Sequence, residues 1–262
     1  INPPIIQKIS FINYDFYQKV FNRGEVKDIT IVDIDEKSIA KIGQFPWRRD
    51  IYSKILTNLN LRNPKAIAFD IVFSEEDKQN PKDLLSKLQV ESDQLIDIDV
   101  IDTNKIFVKS IKNSKVILPI LGDPKDNFVK NNSKPKLRLI TKGENPKNFI
   151  YKFKNKIISL EEISSAASGI GSISLIPSID GVIRSLPVLY NIDDKIWPSL
   201  ALETVRIATG QKNLLVKSDK NGIKLIKSKK NIIPSDQNAV INVKYNKFSK
   251  DNYVSAVDVI NN

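Results

Sequence analysis

The sequence predicts an α/β protein with a central, mostly parallel or mixed sheet, flanking helices and a C-terminal β-hairpin region. Two observations carry that expectation. Apolar runs at Ile29–Asp35 and Ala66–Phe73 each hold acids at or near their ends and bracket a helix-periodic stretch, the pattern of a βαβ-like unit. Farther along, Asn221-Gly222 lies between alternating segments, a strong short-range hairpin signal. The organisation expected is one helix within residues 1–24, then a single α/β domain over 25–262.

Taken in order, Pro3 and Pro4 precede Ile5, Ile6, Ile9, Ile12, Phe16 and Val20, whose spacing predicts a helix over about 5–21. Ile29–Asp35 reads as a buried parallel strand. Glu36–Ile42 reads as a short helix stopped by Gly43. Arg49–Leu61 is a helix with Ile51, Ile55, Leu56 and Leu59 inward, and Ala66–Phe73 a second buried strand. Asn80-Pro81 opens a helix to about Leu88. Residues 89–104 read as an acidic loop, Lys105–Lys112 as a helix and Lys115–Leu121 as a strand. Residues 122–148 read as a long solvated loop with a weak strand near Leu137–Ile140. Ser159 and Glu162 have the spacing of a capping box. Gly169–Leu175 and Val182–Asn191 are expected to pair around the Asp180-Gly181 turn. Asp193-Asp194 makes another turn, Pro198–Thr209 a helix closed by Gly210, Val240–Val243 a strand, and Ser255–Ile260 the start of a helix.

Composition excludes several chemistries. The 262 residues contain no Cys and no His. Thiol nucleophiles, thiolate metal sites, imidazole bases and Ser-His-Asp triads are therefore absent. No metal site and no cofactor is expected. The formal charge of +11 comes from lysines spread among Asn and Ile, with no Arg-rich tract and no nucleic-acid motif, so nucleic acid is not an expected partner. No apolar run is long enough to span a bilayer. The chain opens without Met or a signal peptide, and it is expected to be a piece of something longer.

The polar residues gather where predicted strands stop, the position where open α/β sheets bind ligands. Asp33 and Asp35 alternate at one strand mouth, and together they suit Mg²⁺ or a cationic or polyhydroxylated ligand. The structural alternative is Asp35 as an N-cap, with Asp33 paired to an arginine. Phe45-Pro46-Trp47-Arg48-Arg49 offers a stacking wall and a guanidinium clamp, with Arg49 placed to stack on Trp47. Alternatively, Trp47 fills the core and Arg49 bridges Asp35 or Asp70. Asp70 lies inside an apolar run, so burial and pairing with Arg49 are expected. Glu75 to Asp77 read as a solvated turn, and Asp180-Gly181-x-x-Arg184 as a tight turn or a second basic finger.

One enzyme template fits in part. IVDID resembles the opening strand of haloacid-dehalogenase-like phosphatases, which would make Asp33 a Mg²⁺-assisted nucleophile and Asp35 an acid/base. Lys37 stands where that motif carries Thr or Val, and Gly122-Asp123-Pro-Lys-Asp126 is one residue short of its late acidic motif. A degenerate fragment without activity is a third alternative.

The ordered series VDIDEKSIAKIGQFPWRRD, AIAFDIVFSEED, VILP, GSISLIPSIDGVIRSLP and IWPSLALE resembles the CHASE domain of the second type. The likeness runs from about Tyr14 to Val259. Tyr14-Asp15 matches an aromatic–Asp pair of that family, and Asp33, Asp35 and Ser38 match its strand-end acids and serine. Gly43, Pro46, Trp47 and Arg49 match its Gly-x-x-Pro-Trp-x-Arg loop. Asp70, Phe73 and Glu75 match its second strand, Asp180, Gly181 and Arg184 its Asp-Gly turn, and Pro198, Ser199 and Leu200 its late helix. Arg48 stands where the family commonly has a small residue or proline.

The resemblance implies a non-catalytic, extracytoplasmic sensory domain on the periplasmic face of the bacterial inner membrane. It would serve a membrane-bound adenylate cyclase, kinase or histidine kinase through flanking membrane helices outside this chain. It further implies that 1–24 is a juxtamembrane helix biased by ligand or partner contact. The partner is an unidentified small ligand or protein, with a homodimer as a further expectation. The implied polar cluster is Asp33, Asp35, Ser38, Trp47, Arg49, Asp70, Glu75, Asp180 and Arg184. The family continues past Val259 with a Gly-Lys-Ile-Val-Leu-Ile-Gly strand, so a missing last strand and an open sheet edge are expected.

Overall fold

The computed structural model describes residues 4–21, 28–87, 101–125, 131–229 and 231–261. In chain order the elements are α1 (Pro4–Val20), β1 (Ile31–Asp33), α2 (Glu36–Ile42), α3 (Arg49–Asn60), β2 (Ile67–Ala68), α4 (Pro81–Lys87) and α5 (Thr103–Lys112). Next come β3 (Val116–Asp123), β4 (Arg138–Gly143), β5 (Tyr151–Phe153), β6 (Asn155–Ile158), α6 (Glu161–Ala166), β7 (Gly169–Ser172), β8 (Ser185–Pro187), β9 (Leu189–Ile192) and β10 (Lys195–Pro198). The last are α7 (Leu200–Ala208), β11 (Asn213–Asp219), β12 (Gly222–Ser228), β13 (Asn231–Ile233), β14 (Val240–Asn242), β15 (Tyr253–Ser255) and α8 (Ala256–Asn261). The fold is mixed α/β, as the sequence predicts.

The chain forms two compact units, Ile1–Phe45 with Asn242–Asn262, and Pro46–Ile241. In the first, β1 runs parallel to β15 with Asp33 opposite Ser255. The predicted strand Ile29–Asp35 is shorter than expected, and it is not buried: Ile29 and Ile31 are exposed. A two-stranded ladder covers little of either face. Helix α2 ends at Gly43, whose φ of +111° suits a residue without Cβ. Helix α1 turns Gln7, Phe11, Tyr14 and Gln18 inward. The Tyr14 hydroxyl and the Gln18 amide both donate to the Val243 carbonyl, and Gln18 accepts from the Tyr245 amide.

The second unit is built around β3, whose apolar part is buried from Val116 to Ile120. It pairs parallel with β2 and β7 and antiparallel with β6. The ladder of the predicted strand Ala66–Phe73 is confined to Ile67 and Ala68. Beyond it, Phe69 and Phe73 turn into a ring cluster with Tyr52 and Phe107, at centroid distances of 4.9 Å (Phe73–Phe107) to 6.4 Å (Tyr52–Phe69). Edge-to-face packing of these rings competes with strand pairing for the same residues. Of the residues expected inward on α3, Ile55 and Leu56 are buried; Tyr52 joins them, while Ile51 is half-buried.

Two other expectations change. Ser159 does not cap α6. Its hydroxyl accepts from the Phe73 amide at 3.0 Å, while the Leu160 amide donates to the Phe73 carbonyl, so a tertiary contact takes the place of the local cap. The segment after Gly169 does not pair with 182–191. It lies parallel to β3, and Gly169 and Gly171 let α7 approach so closely that an added Cβ would sit 2.5 Å from Glu203 Oε1 or Leu200 Cα. The weak strand expected near Leu137–Ile140, within the predicted loop 122–148, is present as β4, which pairs parallel with β11; residues 126–130 lie outside the described set, as do 89–100 of the expected acidic loop.

The rest follows the local signals. Asp193 and Asp194, both with φ of 52°, turn β9 into β10, and Gly222, at φ +122°, follows the tip of the β11–β12 hairpin. A second core of Leu137, Leu189, Leu214, Val216, Ile223 and Ile226 fills the space beneath that hairpin. Helix α7 is capped by Ser199, but its buried face carries Glu203 and Arg206, bonded at 2.6 and 2.7 Å, while Val205 is exposed.

Candidate functional site

In the first unit, the residue after β1 by two places is Asp35, the N-cap of α2. Its Oδ1 accepts from the Ser38 amide at 2.9 Å, from the Ser38 hydroxyl at 2.7 Å and from the Ser255 hydroxyl at 2.8 Å. Ser38 is buried and in turn accepts from the Val257 amide at 3.0 Å. The Ser38 and Ser255 hydroxyls, which prefer an anionic acceptor, hold the Asp35 carboxyl below the usual carboxylate range. Asp33 lies exposed at the end of β1. Beside this network, Lys37 pairs with Asp258 at 2.5 Å. Thus the cap expected for Asp35 is real, and Ser255 is the partner that the sequence did not reveal, because it is 220 residues away.

In the second unit, Trp47 is buried and packs on Tyr52 with ring centroids 6.2 Å apart. Arg49 opens α3 and is also buried. Its guanidinium lies over the Phe73 ring at 4.5 Å, not over Trp47, and one terminal nitrogen donates to the Glu75 carbonyl at 2.8 Å. Its Nε is buried without a hydrogen-bond partner. Burial lowers the Arg49 pKa from the usual guanidinium value, and Asp77 opposes that shift.

Asp77 is the main surprise. Read as part of a solvated turn, it is buried and accepts three bonds, from the Arg49 amide at 2.9 Å, the Thr103 hydroxyl at 2.8 Å and the Gln79 amide at 3.0 Å. It serves as a distant cap for α3, whose own Ncap residue, Arg48, bonds the Asp50 side chain and caps no backbone amide with its own. Asn80 does the same for α5, accepting from the Thr103 amide at 3.1 Å. Asp70, expected to be buried against Arg49, is instead exposed, because the apolar run around it leaves the sheet after two residues. Glu75 points outward and pairs with Lys78 at 2.9 Å; only its carbonyl meets Arg49.

Asp180 and Arg184 form a two-pronged pair, both bonds 2.9 Å, across the turn that Gly181 closes at φ +78°. Arg184 is buried and Asp180 exposed. The guanidinium holds the Asp180 carboxyl below its ordinary range. A shallow open groove lies elsewhere, lined by Ile140, Gln211, Lys212, Lys227 and Lys229. None of the candidate site residues read from the sequence lines it. Among the described residues, no group of three acids could hold a metal ion, and no helix is long and apolar enough to cross a membrane.

The fold is α/β, with carboxylates and guanidinium groups fixed at helix starts and turns. The CHASE2 domain model matches residues 2–262, and the chain belongs to that family, a family of extracellular sensory domains of signalling proteins. No curated protein and no solved structure matches it.

Proposed function

We propose that this chain is the extracytoplasmic input domain of a membrane-bound bacterial signalling protein, with a cyclase or kinase as its output. The family match across residues 2–262 carries this reading. Within the domain, Asp35 is the residue best prepared for recognition. Three donors converge on its Oδ1, which fixes the carboxylate, while Oδ2 takes no hydrogen bond among the described residues. A fixed carboxylate with an unused oxygen, next to the exposed Asp33, suits a cationic or polyhydroxylated small molecule or an equivalent group on a protein partner. Arg49 and Trp47, being buried, serve the fold. Binding shifts a signalling equilibrium only by its differential affinity for the two states.

The test is a thermal-shift screen of the chain against amines, amino acids and sugars, repeated with Asp35→Asn. A ligand that raises the melting temperature of the native chain but not of Asp35→Asn supports the assignment. Turnover of p-nitrophenyl phosphate that requires Mg²⁺ and is lost in Asp33→Asn would overturn it in favour of a phosphatase.

A further inference from the structure

Helix α1 is amphipathic in an inverted sense. The face it docks on its own unit, Gln7, Phe11, Tyr14 and Gln18, is half polar, and Tyr14 and Gln18 spend their polar groups there. At ~100° per residue, the opposite face carries Ile6, Ile9, Ile12, Phe16 and Val20. These five are exposed, from 49% for Ile6 to 67% for Ile12. A single exposed isoleucine is ordinary, but a continuous stripe along a helix marks an interaction surface.

The spacing names the occupant. From Ile9 the stripe advances by three residues to Ile12, by four to Phe16 and by four to Val20, with Ile6 three residues before. Those positions track a repeat of about 3.5 residues, the period that keeps an apolar seam facing a second helix. A lipid surface asks for something else: an interfacial helix sets Lys and Arg on the face opposite its apolar one. Here that opposite face is spent on the protein itself, and the flanks hold only Lys8 and Lys19 against Asp15. Area is sufficient as well. Specific interfaces begin at about 1,000 Å² in total, and five side chains exposed by 49% to 67% on two copies supply area on the order of that value.

We infer that α1 is a homodimer interface, pairing with α1 of a second copy of this chain along Ile6, Ile9, Ile12, Phe16 and Val20. The pairing is isologous, the same stripe on both copies. It is independent of any ligand at Asp35.

The chain contains no cysteine, which makes the test direct. Sedimentation or light scattering of the chain gives twice the mass of one 29.7 kDa protomer, and the double variant Ile9→Lys, Ile12→Lys returns it to one. Far-UV circular dichroism and the urea transition stay those of a folded chain, since neither side chain packs inside. Ile12→Cys, at the middle of the stripe, forms an intermolecular disulfide on mild oxidation in either helix orientation, whereas Lys54→Cys on α3 does not. A chain that stays monomeric up to its solubility limit overturns the inference, as does a dimer that survives the double variant. A monomer that sediments with anionic-lipid vesicles, and ceases to do so in the double variant, assigns the stripe to a membrane surface instead.

Discussion

Asp35 and Asp77 are the same side chain at the start of a helix, each with three bonds to it, yet they do opposite work. Asp35 caps its own helix and is held by two serine hydroxyls and an amide, all on one oxygen. Asp77 caps a helix that begins 28 residues before it, spreads its bonds over both oxygens and is buried beside a buried guanidinium. The first arrangement orders a carboxylate and keeps it in reach of solvent. The second uses a carboxylate as a tie between α3 and α5 and hides it. A count of hydrogen bonds does not separate these two carboxylates; burial and the use of both oxygens do.

The sharpest way to break this comparison is Asp77→Ala. It leaves the Arg49 amide and the Thr103 hydroxyl unpaired in the interior and takes the neighbouring anion from a buried cation. The expected loss is about 3–5 kcal/mol in a urea unfolding experiment. Asp35→Ala should cost much less and leave a cooperative transition; equal losses at the two positions would erase the contrast.

A smaller effect comes with pH. The folded pKa of Asp35 is depressed, so its contribution to stability is present above the unfolded carboxylate value and fades as pH falls through the folded one. Ser38→Ala removes one of the hydroxyls responsible. The Asp35 carboxyl, followed by its side-chain carbon resonance, should then titrate closer to the ordinary range, and acid unfolding should begin with a weaker dependence on this group. An unchanged titration would show that the serine network does not set the charge. The least effect belongs to Asp70→Asn. Asp70 is exposed, so the change should stay within about 0.5 kcal/mol. A loss several times larger would restore Asp70 as a partner of Arg49.

Much of the fold was legible. The helix at Arg49, the Asp35 cap with Gly43 closing α2, and the turns at Asp193-Asp194 and Asn221-Gly222 all depend on neighbours within four residues, and they are where the sequence places them. The candidate site was legible as a set of residues more than as a set of contacts. Arg49 was expected to meet Trp47, Asp35 or Asp70 and meets Phe73 and the Glu75 carbonyl; Ser159 was expected to cap α6 and holds the Phe73 amide. In both cases a polar group that could serve its own helix is drawn to a backbone group brought close by the aromatic cluster around Tyr52.

By itself, the sequence determined the class of fold, the family to which the chain belongs, the caps and turns made within a few residues, and the apolar spacing of α1. Tertiary structure alone decided which acid is buried, that Asp77 and not Asp70 lies beside Arg49, that Ser255 completes the Asp35 network, and which stripe of α1 stays uncovered. The reason is range. Backbone torsions and short side-chain bonds are fixed by neighbours along the chain, whereas desolvation is fixed by whatever distant segments arrive. A carboxylate carries no mark of its own burial until the groups that will satisfy it are in place.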